Sequence, residues 1–269
     1  MRWQAGAYLL ASLGLALAAG ALSCQLSQIP WLRCRLTGRL PGVLRGVYVV
    51  GFPYFALVLG VVPGSRLGLA GLGHLQAIDS GLPGLPQLGA ALSEMVSDWL
   101  PDARALAGRA AAPGLLLALA WLGYGLFKRR RADSGAASHP DQTAALPGTR
   151  HPPAGGPSLI EAGCQVLHWS FYRAILWLLV DNLYLAAIGG VIVVGLEWAL
   201  IPGRGTQLRN SSRADGLLPH ASLLIANAAL FCSVPNLWLL IPVHWLLARL
   251  FRRAFRLGTA WHPGWLARF

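Results

Sequence analysis

Apolar residues run along the chain in long blocks, with the polar residues gathered between them. Five blocks approach the ~20 residues that cover a bilayer core. They fall at 5–23, 43–62, 110–127, 175–201 and 222–248. The second is interrupted by Arg45 and holds Pro53; the last holds Pro235 and Pro242. Proline is tolerated in membrane helices where neighbours take up the freed backbone groups. The expected fold class is therefore an all-α integral membrane protein, polytopic, with five transmembrane helices plus surface amphipathic helices.

The first block has a second reading. Arg2 is a thin basic flank, and ALSC at 21–24 is a small-residue pattern of the kind found at a signal cleavage site. However, the apolar run exceeds the usual ~7–15-residue signal core. The basic residues also follow the run, at Arg33, Arg35, Arg39 and Arg45. A retained helix is the expectation.

Two stretches have helical polarity without a full apolar run. One is 88–100, expected to lie along the membrane surface. The other is 159–173, where Glu161, Gln165, His168 and Tyr172 follow at i, i+4, i+7 and i+11 and share one face. Cys164, Leu167 and Phe171 occupy the opposite side. The stretch reads as an interfacial helix, with Trp169 and Tyr172 at headgroup level and Arg173 reaching for phosphate. Residues 132–157 are rich in Ser, Ala, Gly and Pro and read as a disordered cytoplasmic linker. The linker divides an N-terminal membrane part, 1–131, from a C-terminal one, 158–269.

Charge adds orientation. Of 269 residues only 12% are charged, yet the formal net charge is +12. The basic residues crowd the ends of apolar blocks, at 33–45, 128–131 and 249–256, as cytoplasmic loops do. This places the N-terminus and 63–109 outside, the linker and C-terminus in the cytoplasm, and 202–220 outside. No soluble basic face or nucleic-acid motif is present, so the expected partners are the lipid bilayer and other membrane subunits, not nucleic acid. Lys128 is the only lysine, and Ala, Gly, Leu and Pro abound, as in a GC-rich genome. A bacterial inner membrane is the expected location.

Candidate chemistry is sparse. Cys24, Cys34, Cys164 and Cys232 form no C-x-x-C pair. The paired-Glu motif E-E-x-x-x-R, the zincin motif H-E-x-x-H and the phosphate-binding Gly loops are all missing. Cofactor and metal stay unassigned. The polar residues that need an account are Glu161, His168, Asp181, Asn236 and His244. Asp181 lies about two turns into the fourth block, where an acid should face a partner. His244 or Asn236 of the fifth block is the expected partner, and Glu197 and Asn227 form a second expected pair. Two function classes follow. The preferred one is a non-catalytic membrane component: a subunit, assembly factor or transport accessory. The alternative is a membrane-embedded enzyme or transporter whose site lies near the cytoplasmic leaflet. Convergence of those five residues would favour the alternative.

Overall fold

A computed structural model describes residues 2–28, 46–69, 85–136, 158–200 and 211–260. Among them every regular element is a helix. In chain order these are α1 (Arg2–Gln28), a π turn (Val47–Gly51) running into α2 (Phe52–Val58), and α3 (Gly64–Leu67). They are followed by α4 (Leu85–Ala136), α5 (Leu159–Val180), α6 (Leu183–Leu200), α7 (Ser211–Ser233) and α8 (Leu237–Ala260).

The fourth and fifth apolar blocks depart from expectation in the same way: each contains a reversal. α5 ends at Asp181, whose backbone turns left-handed at φ 50 and ψ 28. Asn182 then starts α6, its Oδ1 accepting the Leu185 amide at 3.0 Å and its carbonyl accepting the Ala186 amide. Two residues therefore turn the chain back on itself, and α5 and α6 pack antiparallel. Residues equidistant from the turn meet: His168 bonds Glu197, and Gly189 lies against Leu176. The close approach is allowed by glycine, because a Cβ at Gly190 would sit 2.7 Å from Cγ of Arg173. The expected span 175–201 is thus a hairpin corner, not one helix.

The expected span 222–248 breaks likewise. α7 stops at Ser233, and Pro235 offers no amide to continue it. Asn236 starts α8 by accepting the Leu239 amide on Oδ1 at 3.4 Å and the Leu240 amide on its carbonyl at 3.1 Å. The Leu237 amide bonds the Gly68 carbonyl at 2.7 Å, fastening this turn to α3. Of the two prolines in the expected span, Pro242 alone lies inside a helix.

Both turns lie at one end of the bundle. Arg66 reaches Asp181 there, Trp99 stacks on Trp238, and Asp102 accepts from Asn236. At the other end Phe255 packs on Trp121 and Tyr124, four to ten residues before the 128–131 basic run. Arg252 interacts electrostatically with Glu161 at this end. The basic runs of α4 and α8 thus share an end opposite the two turns. The basic residues at 33–45, the loop 202–210 and most of the linker lie outside the described residues. α4 extends to Ala136, so the first residues of the expected linker are helical. The stretch 88–100 is no separate surface helix either: it is continuous with 110–127 in α4, which spans 52 residues despite Pro101 and Pro113.

Burial is inverted relative to a water-soluble bundle. Among the described residues, three helical segments are long and apolar enough to cross a membrane: Trp3–Leu22, Gly89–Arg131 and Leu183–Leu200. Their windows are only 17%, 22% and 28% buried, so large apolar side chains such as Leu10, Leu116, Ile188 and Ile192 point outward. A soluble monomer rarely exposes so much contiguous apolar surface. α5 is the helix the others wrap: α1, the π turn, α2, α3, α6 and α8 all contact it. Its residues from His168 to Ile175 are all buried. The interfacial reading of 159–173 therefore fails beyond its first two turns. Trp169, Tyr172 and Arg173 are 2%, 0% and 3% exposed, too enclosed to meet headgroups.

Candidate functional site

The interior of the α1–α2–α5–α6 region holds one connected polar cluster. His168 and Tyr172 stand one helical turn apart on α5 and point the same way. α6 returns antiparallel and brings Glu197 level with His168, Oε2 lying 2.8 Å from Nε2. Tyr48 comes from the π turn, its hydroxyl 2.6 Å from that of Tyr172 and 3.2 Å from Nε2 of His168. α1 closes the group with Ser12, whose Oγ is 3.3 Å from the Tyr172 hydroxyl. All five residues are buried.

The π turn explains how Tyr48 gets there. Pro53 has no amide, and its ring crowds the carbonyl four residues back. The helix widens just before it, with the Phe52 amide bonding the Val47 carbonyl five residues away. Tyr48 is carried on this widened turn against the ring of His168, centroid to centroid 4.7 Å.

The cluster is built around one acceptor. A carboxylate only accepts, so Nε2 carries the hydrogen toward Glu197. The two tyrosine hydroxyls bond each other beside this pair. Nδ1 of His168 is buried and has no partner among the described residues, so a hydrogen there would meet no acceptor. Among the described residues no trio of His, Cys, Asp and Glu is placed to hold a metal.

The next residue along α5 after Tyr172 is a buried cation. Arg173 donates to the Asn227 carbonyl at 3.2 Å, to Asn227 Oδ1 at 2.9 Å and to Ser170 Oγ at 2.6 Å. Its guanidinium lies 4.2 Å over the Phe231 ring. These are neutral acceptors and an aromatic face, the mildest partners available to a buried guanidinium.

The residues singled out from the sequence go to different places. Glu161 is exposed and closes a capping box with Ser158, accepting its amide at 2.8 Å. His168 joins the cluster. Asp181 is exposed at the first turn, 3.1 Å from Arg66, whose guanidinium also covers the Trp177 ring. Asn236 meets Asp102 at 3.3 Å. His244 is buried against Trp169, and neither ring nitrogen has a hydrogen-bond partner among the described residues. The expected pairing of Asp181 with His244 or Asn236 is not made, because the reversal leaves Asp181 on the surface instead of inside a span. Glu197 and Asn227 are likewise drawn apart, to His168 and Arg173.

Sequence pattern alone does not mark Tyr48, Ser12 or Arg173 as site residues. Pro53 five residues after Tyr48 is the available signal for a widened turn, and the interfacial reading of 159–173 puts Arg173 at the membrane surface. No family model, curated protein or solved structure matches the chain.

Proposed function

We propose that this chain is a non-catalytic component of a bacterial inner membrane: a subunit, assembly factor or transport accessory. Its basic end faces the cytoplasm and its turn end faces outward. The observation that carries the reading is the dispersal of Glu161, His168, Asp181, Asn236 and His244 to five separate surroundings. Where such groups do meet another helix, as His168, Asp181 and Asn236 do, each contact is worth about 0.6 kcal/mol in membrane bundles. Reading each hairpin as two crossings changes the topology. The N-terminus stays outside and the C-terminus stays in the cytoplasm, but the loop around Gly205 moves to the cytoplasmic side. Cysteine introduced at Gly135 and at Gly205 should therefore label from the cytoplasm at both positions. Labelling of position 205 from outside would restore a single crossing between the linker and that loop.

The Tyr48–His168–Tyr172–Glu197 cluster favours a second reading, a proton-handling transporter or membrane-embedded enzyme. Ionisable groups within a membrane bundle mark proton and ion paths by default. Substitution of Glu197 by Gln separates the readings. It keeps the shape and most of the hydrogen bonds while removing the titratable proton. A structural component should keep its cellular phenotype; a proton-handling one should lose it while still accumulating normally.

A further inference from the structure

Arg173 carries a charge that its surroundings solvate but do not cancel. A guanidinium keeps its proton in proteins, and this one is only 3% exposed. Its partners are all neutral: the Asn227 carbonyl and Oδ1 on Nη1, the Ser170 hydroxyl on Nη2, and the Phe231 ring on one face. The two acids of the neighbouring turns are committed elsewhere, Glu197 to His168 and Asp181 to Arg66. A buried charge without a counter-charge is strongly disfavoured, the more so inside a membrane bundle.

The donors are unevenly used as well. Nε of Arg173 is buried and has no hydrogen-bond partner among the described residues. Nε and Nη2 form one edge of the planar guanidinium, and Ser170 stands at that edge, 2.6 Å from Nη2. Because Ser170 Oγ accepts from Nη2, its own hydrogen is left to donate. Asn227 holds the Nη1 side, and its Nδ2 is a further buried donor with no partner among the described residues. The group is fixed in place from α6: a Cβ at Gly190 would sit 2.7 Å from Cγ of Arg173, so the bare glycine lets the stem press against that helix.

We propose that the Nε edge of Arg173 holds one small monovalent anion of the halide class, with the Nε hydrogen and the Ser170 hydroxyl as its donors. Charge sets the valence, since one guanidinium balances one negative charge. Enclosure sets the size: Ser170, Arg173 and Asn227 are 0%, 3% and 2% exposed, out of reach of a lipid headgroup or of another protein's side chain. Water would satisfy the donors and leave the charge unanswered. The competing source of charge within the chain is the Cys232 thiol, which interacts electrostatically with Arg173.

The test uses the full chain, purified in detergent and exchanged into potassium gluconate. Thermal unfolding is followed as chloride replaces gluconate at constant ionic strength. The midpoint should rise and saturate, by about 3–6 °C when chloride reaches tenfold above its Kd. Arg173→Met should remove the dependence. Asn227→Asp places a carboxylate against Nη1 and supplies the counter-charge from within. It should unfold in gluconate where the parent unfolds in saturating chloride, and should no longer respond to the halide. Cys232→Ala should respond as the parent does. A parent chain indifferent to chloride, or a response that survives either Arg173→Met or Asn227→Asp, would overturn the site. Chloride dependence that arises only in Cys232→Ala would make the thiolate the counter-charge and overturn it equally.

Discussion

The α5–α6 and α7–α8 hairpins are built alike and filled differently. Each reverses at the same end of the bundle, and in each an asparagine starts the second helix, Asn182 in one and Asn236 in the other. Between α5 and α6 lies the Glu197–His168 pair with two tyrosines against it. α8 contributes a buried histidine, His244, packed on Trp169 of α5, whose ring nitrogens have no hydrogen-bond partner among the described residues. Turn chemistry therefore sets the path of the chain, while the interior decides what each hairpin can do. The largest expected effect probes the filled interior. Glu197→Ala takes the carboxylate from the buried His168 N–H, and breaking a buried pair from one side costs about 3–5 kcal/mol. Thermal unfolding in detergent should show it, and replacing both His168 and Glu197 by Leu should recover much of the loss. A Glu197→Ala protein as stable as the parent would remove the cluster from the account of the fold.

The second hairpin is held mainly through its turn. Gly68 has φ +86, and a Cβ there would come within 2.8 Å of the Phe231 ring and 2.9 Å of the Pro235 carbonyl. Gly68→Ala combines left-handed strain with overpacking and should cost about 3 kcal/mol. Gly60 is the internal control: its φ is +67, but nothing lies within 4 Å of its Cβ position. Gly60→Ala should lose only about 1–2 kcal/mol, from strain alone. Equal losses at the two positions would mean that α3 does not clamp the α7–α8 turn.

The two buried histidines should respond with opposite signs. His168 donates to a carboxylate, so His168→Leu destabilises. His244 has two ring nitrogens without hydrogen-bond partners among the described residues, at 2% exposure. An unsatisfied buried polar group costs about 1–3 kcal/mol, so His244→Leu should stabilise by part of that amount. A destabilised His244→Leu protein would point to a hydrogen-bonding ligand at that ring.

How much of this was legible follows from what each signal depends on. Helical class, apolar outward faces and the clustering of charge are properties of composition and spacing, and the sequence carries them directly. The reversals at 181–182 and 234–236 are not, because the apolar residues on either side read as continuous with them. Hydropathy sums over a window and does not register that Asp-Asn or Pro-Asn ends one helix and caps the next. A left-handed aspartate followed by a capping asparagine is a local hydrogen-bonding event of two residues. Once the reversal is missed, Asp181 is misplaced into the membrane, and Glu197 is assigned to the end opposite His168. The cluster could not be assembled from sequence for that reason, although His168 and Tyr172 were correctly placed on one face.

The smallest effects test the claim that asparagine caps define both corners. Loss of a side-chain cap costs about 1 kcal/mol. Asn182→Ala should lose about that much, because its Oδ1 bond to Leu185 is short, at 3.0 Å, and the site is exposed. Asn236 makes a longer capping bond, at 3.4 Å, but is buried and also reaches Asp102. Its removal weakens the cap less and leaves Asp102 without that contact, so a similar total is expected from a different source. Hydrogen exchange separates the two contributions. Asn182→Ala should speed exchange at the Leu185 amide far more than Asn236→Ala speeds it at Leu239. If both amides respond equally, the two turns are held by the same device to the same degree. The contact with Asp102 would then contribute nothing to the second corner.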